Sequence, residues 1–107
     1  MSATLGDDPV LSRVRHELDV MYGNDIERVV LFGSRARGEA RADSDYDIAV
    51  FLKNLSDRWV ALDQLASLRV RLLDDIGAFV DIKPYSVGAY RERTALMHEI
   101  RQDGIDL

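Results

Sequence analysis

Four apolar residues in a row, Val29-Val30-Leu31-Phe32, break off abruptly at Gly33-Ser34. A β-branched run without polar alternation fits a strand covered on both faces, and therefore a central one. That element alone demands a sheet with helices laid over it. It also places a glycine and then a hydroxyl at the end of a buried strand, where the backbone can turn tightly and approach a ligand closely.

The rest of the chain supplies the cover. Asp8-Pro9 reads as a helix cap followed by proline at the first helical position, with residues 1–7 expected to be loose. Leu11, Val14, Leu18 and Met21 follow at helical spacing, and Gly23 stops the helix. Residues 35–44 are polar and aperiodic, beyond a short helix expected from Ser34 to Arg37. Tyr46 to Lys53 reads as a strand with Ile48, Val50 and Leu52 on one face and Asp47, Ala49 and Phe51 on the other. After a turn at 54–57, Leu62, Leu65, Leu68, Leu72 and Ile76 form the strongest apolar helical stripe, ended by Gly77. Phe79 to Tyr85 reads as a third strand, placed near an edge or at its end by Pro84. Ser86 is expected to cap a last helix running to about residue 101, with Tyr90, Met97 and Ile100 as its stripe. The order α-β-(short α)-β-α-β-α implies one α/β (α+β) domain over residues 1–107, a small mixed sheet with helices packed mainly on one face.

Composition removes several chemistries. The 107 residues leave no room for a second substrate domain. Without cysteine there is no thiolate metal site, disulfide framework or cysteine nucleophile. The two histidines, His16 and His98, lie far apart, so carboxylate coordination of a hard cation is the metal chemistry left open. Nineteen acids against fourteen bases give a net charge of −5, which argues against stable nucleic-acid binding. No apolar run approaches the length of a membrane span and residues 1–8 do not look like a signal peptide, so the expectation is a cytoplasmic protein. Neither a Walker loop nor a Gly-x-Ser-x-Gly elbow is present, because Gly33 and Gly38 lack the lysine and Ser34 has no supported histidine base.

Asp45 and Asp47, two apart at the head of a strand, project from one face. Like charges that close repel, and a divalent cation such as Mg²⁺ resolves the conflict while taking substrate phosphates as further ligands. Asp81, between Val80 and Ile82, is expensive in mid-strand unless used or paired, and it faces the side of Asp47 if the apolar residues share the core. Three carboxylates on adjacent strands can hold two cations about 3.5–4 Å apart, the arrangement for in-line displacement at phosphorus. Gly33, Ser34 and the amides after them make an anion site, with Arg35, Arg37 and Arg41 at hand for phosphate oxygens. Each piece has a plainer reading: a strand-to-turn glycine, an alternating surface strand, an Asp81–Lys83 ion pair, a solvated arginine loop. Arg41, Asp43 and Glu39 fit the plainer reading, whereas the joint pattern points to a nucleotide site.

Gly33-Ser34, ten residues, then Asp45-Tyr46-Asp47 resembles the Gly-Ser-x10-Asp-x-Asp signature of the DNA polymerase β-like nucleotidyltransferase superfamily. The string GSRARGEARADSDYDIAVF is similar to the minimal nucleotidyltransferase (MNT) branch, with Arg35 after Gly-Ser and Ser44 before the first aspartate. The resemblance implies a polymerase β-like nucleotidyltransferase core. It implies that Asp45, Asp47 and Asp81 are catalytic and hold a two-ion Mg²⁺ site, and that Gly33 and Ser34 bind the β/γ-phosphates. The reaction implied is transfer of a nucleoside monophosphate, AMP from ATP, to a hydroxyl. Larger relatives carry an added acceptor-binding domain. In the minimal branch the resemblance implies instead a partner, a HEPN ribonuclease toxin whose tyrosine is adenylylated, with this chain as the antitoxin. The alternatives are a non-catalytic antitoxin acting by contact, and transfer to a small hydroxylated molecule such as an aminoglycoside. Tyr22, Trp59 and Tyr90 are the candidates for a partner contact, and an open sheet face on so small a domain also favours self-association.

Overall fold

The computed structural model describes residues 8–107, so the loose segment expected at 1–7 lies outside the described residues. Helix α1 spans Pro9–Tyr22. It begins where expected because the Asp8 carboxylate accepts from the amides of Val10 (2.8 Å) and Leu11 (3.4 Å), two donors that a helix start leaves free. Leu11, Val14 and Leu18 form its buried face. It ends at Gly23 (φ 52°), followed by a 3-10 turn over Gly23–Asp25.

Four strands follow: β1 (Ile26–Phe32), β2 (Tyr46–Leu52), β3 (Val80–Ser86) and β4 (Ile105–Asp106). Their order in the sheet is β3-β2-β1-β4. β1 runs antiparallel to β2 and β4, and β2 runs parallel to β3, so the sheet is mixed. β1 is internal, as its unbroken apolar run requires. It starts at Ile26, three residues before that run, through the polar pair Glu27-Arg28 where its pairing with β2 shifts register. β3 is an edge strand, where the missing N–H of Pro84 costs no ladder bond.

The parallel β2–β3 pair needs a crossover, and helix α2 (Arg58–Ile76) provides it. Asp57 caps its start and Gly77, in the left-handed conformation at φ 67°, ends it. Its buried residues are Ala61, Leu65, Leu68 and Leu72. The expected stripe therefore needs correction at both ends: Leu62 yields the inner position to Ala61, and Ile76 is 42% exposed in the last turn. Helices α1 and α2 cover one face of the sheet, packing Leu18, Leu65, Leu68 and Leu72 against Val29, Leu31, Ile48, Val50, Val80 and Ile82.

The last helix also starts elsewhere than expected. Ser86 makes no capping bond, and Val87–Arg91 form only a 3-10 turn. Helix α3 spans Ala95–Asp103, capped by Thr94, whose Oγ1 accepts from the Met97 amide at 3.1 Å. Tyr90 belongs to the turn and meets Phe51 edge-on at 5.4 Å instead of joining a helical stripe. Met97 and Ile100 of α3 pack with Val30, Ala49 and Phe51 on the second face of the sheet. The two faces of β2 thus divide as its alternation predicts. Among the described residues no helix is long and apolar enough to cross a membrane.

Gly104 joins α3 to β4 through a gap with no space for a side chain. A Cβ there would collide with the Ile100 carbonyl and lie 2.5 Å from Val30 Cγ1. Gly104→Ala is expected to cost about 1–3 kcal/mol, the range for overpacking a tight site. Chemical denaturation would show this as a lower midpoint with an unchanged slope.

Candidate active site

The site forms where β1 ends beside the beginnings of β2 and β3. Gly33 leaves β1 at φ 77°, a conformation that L side chains rarely adopt. Its second constraint is spatial, since a Cβ would stand 2.5 Å from Asp47 Oδ2. The expected helix from Ser34 to Arg37 is a hydrogen-bonded turn, closed by the Arg37 amide on the Gly33 carbonyl (3.2 Å) and the Glu39 amide on the Ser34 carbonyl (2.9 Å). The segment is too short to propagate a helix before Gly38 (φ 74°) turns it away.

Asp47 and Asp81 are direct partners in the parallel β2–β3 ladder. Both occupy the α3 side of the sheet, alternating with core residues Ile48 and Ile82 on the other. Asp45 lies one step before β2 and is exposed. Asp47 is half-buried, and burial holds its carboxyl above the usual aspartate range. The charges of Asp81 and Asp45 push it further in that direction, Lys83 opposes them, and Glu99 adds to the upward shift. The acids singled out by spacing therefore act on one another electrostatically.

Asp81 has cationic company. Lys83 Nζ lies 3.2 Å from its Oδ2, and Arg69 Nη1, on α2, lies 3.7 Å from its Oδ1. The plainer reading of Asp81 as the partner of Lys83 is thus physically realised, alongside its register with Asp47. Among the described residues no three acids or histidines stand assembled as a metal site. The donor set nevertheless suits a hard divalent cation. Its ligands are all oxygen, two of its carboxylates are neighbours in register, and the glycine beside them keeps side-chain bulk away from Asp47.

The arginines are placed differently from one another. Arg35 is a clamp: its Nε and Nη2 donate to the Ser44 carbonyl (3.1 and 2.8 Å), and Nη2 also reaches the carbonyls of Arg41 and Ala42 (both 3.3 Å). Its guanidinium lies over the Tyr46 ring, 3.9 Å from the centroid. Arg37 donates to Glu39 (2.9 Å) and to Glu99 of α3 (3.4 Å). Ser44 Oγ accepts from the Arg41 amide, completing the loop that leads into Asp45. Glu99 is the site neighbour that sequence reasoning missed. No local pattern marks it, because its position depends on how α3 packs on the second face.

The family profile "Polymerase beta, Nucleotidyltransferase" matches residues 18–107, and the chain belongs to that family. A search of curated proteins finds no match. Solved structures share the fold. A crystal structure of a toxin–antitoxin with AMP-PNP superposes with a TM-score of 0.56 at 24% identity, over 88% of this chain and 69% of that one. A toxin–antitoxin MntA-HpeT mutant with two aspartate-to-glutamate changes gives 0.55 at 22%, over 88% and 69%. A tyrosine-to-alanine mutant of MntA-HpeT gives 0.55 at 24%, over 90% and 70%.

Proposed function

We propose that this protein is a Mg²⁺-dependent nucleotidyltransferase that moves AMP from ATP onto a protein hydroxyl, a tyrosine of a HEPN ribonuclease toxin, and so serves as its antitoxin. The observation that carries the reading is the in-register Asp47–Asp81 pair with Gly33 closed against Asp47. The similarity to toxin–antitoxin structures, one of them with an ATP analogue, supports the choice of nucleotide and partner.

In this reading Asp45, Asp47 and Asp81 hold the metal. When bound, Mg²⁺ neutralises triphosphate charge and raises the electrophilicity of the α-phosphorus. Gly33 and Ser34 present backbone amides and a hydroxyl to the β/γ-phosphates. Arg37 exchanges its carboxylate partners for phosphate, while Arg35 holds the loop in shape. The acceptor oxygen bonds to the α-phosphorus, the bond to the β-phosphate oxygen breaks, and pyrophosphate leaves. The hydroxyl proton passes to Asp81, the partner of Asp47 in the β2–β3 ladder.

The ion pairs of Asp81 favour one competing reading, an antitoxin that works by contact alone. Intact-mass measurement separates the two. The protein is mixed with Mg²⁺, each nucleoside triphosphate in turn, and a HEPN ribonuclease encoded beside it. The expected result is a partner heavier by whole AMP units, with none added by a D45N/D47N double variant that still binds. A tight complex with no added mass, neutralised equally well by the double variant, establishes the contact reading instead.

A further inference from the structure

Asp81 meets Lys83 on its own strand, on the same face and two residues on, at 3.2 Å. The Lys83 side chain is 48% exposed, on a strand with no further strand beyond it among the described residues, and can swing outward without disturbing the core. Arg69 faces the other oxygen of Asp81 from α2, more distantly at 3.7 Å. Asp45, Asp47 and Glu99 add negative charge nearby, Glu99 being itself paired with Arg37 at 3.4 Å.

We propose that Lys83 is a stand-in cation, which occupies the Asp81 carboxylate in the metal-free protein and must be expelled before a divalent ion can gain Asp81. The inference rests on the metal-dependent reading above and adds a residue to it. Asp81 belongs to two exclusive arrangements, one with Lys83 and one with the metal. Lys83 therefore sets the metal concentration at which the site assembles. The free-energy cost of displacing one ammonium from a half-exposed carboxylate is modest, so the effect is a tuned affinity and not a block.

The test is Mn²⁺ binding to the nucleotide-free full chain, followed by the electron paramagnetic resonance signal of the free ion. Lys83→Gln keeps the length of the side chain and removes its charge. It is expected to bind Mn²⁺ about tenfold more tightly than the wild type, as the loss of a nearby like charge dictates. Lys83→Arg, which keeps the charge, is expected to stay within about twofold of the wild type. An affinity in Lys83→Gln that is unchanged or weaker overturns the proposal and leaves the metal site standing. No Mn²⁺ uptake by any of the three proteins overturns the metal reading itself, and the stand-in with it.

Discussion

Asp47→Asn is expected to abolish nucleotidyl transfer and at the same time raise the melting temperature of the metal-free protein. The loss follows from removing a charge at the centre of the carboxylate group. Metal-held charge contributes several kcal/mol at a phosphoryl transition state, and each ~1.4 kcal/mol is a factor of ten, so a fall on the order of 10³-fold is anticipated. The gain follows from the environment of the group. Burial, then Asp81 and Asp45, disfavour the ionised form of Asp47. Its pKa is raised in the folded state, so the folded protein retains a proton that the unfolded chain has lost. The contribution of Asp47 to stability is greatest below the ordinary aspartate range and falls as pH rises from that range through the raised value. The amide carries no such penalty, so at pH 7 the melting temperature is expected to rise. The same substitution should flatten the pH dependence of melting above the ordinary aspartate range. A variant as unstable at pH 7 as the wild type, on the same slope, would show that Asp47 carries no such burden.

Gly33→Ala is expected to be nearly as damaging to activity, and unlike Asp47→Asn it should also destabilise the protein. Two independent costs meet there. At φ 77° a side chain is strained whatever space surrounds it, and the added methyl would press on Asp47 Oδ2. About 1–3 kcal/mol of stability should go. Asp47 must shift to make room, and a displacement of that size costs on the order of 100-fold in rate. Melting and turnover measured on Gly33→Ala and on the double variant with Asp47→Ala separate the two contributions. Asp47→Ala removes the collision, so the added methyl should cost less stability in that background than in the wild type. Equal costs in the two backgrounds would assign the whole effect to backbone strain.

The parts of this molecule that sequence alone discloses are those governed by short-range periodicity. The division of β2 into Ile48, Val50 and Leu52 against Asp47, Ala49 and Phe51 follows from period two and is what the sheet displays. Asp81 joins Asp47 because a parallel ladder paired Ile48 with Ile82, carrying the residue before each into register. The failures have tertiary causes. Ser86 and Thr94 are both hydroxyl residues ahead of helix-compatible segments, and nothing local separates them. The edge-on contact of Tyr90 with Phe51 and the bonds from Arg101 to the carbonyls of Tyr90 and Glu92 select the later start. β4 has two residues, too few to show any period, and exists because β1 offers it a free edge. At the site, Arg35 looked equivalent to Arg37 in sequence. Its fork is instead spent on three loop carbonyls, a choice visible only once the loop has closed.

The Asp8 carboxylate does more than start α1. Its other oxygen, Oδ2, accepts from the Tyr46 hydroxyl at 3.0 Å, and the ring of Tyr46 supports the Arg35 guanidinium that gathers the loop before Asp45. The first turn of a helix and the approach to the acids are thereby tied to each other through one tyrosine. Asp8 lies ten residues ahead of the segment the family profile matches, and the core residues Leu11 and Val14 also precede it. The folding unit therefore begins ahead of the segment the family profile matches. A fragment cut at residue 18 would carry the motif complete and lose the scaffold that orders it.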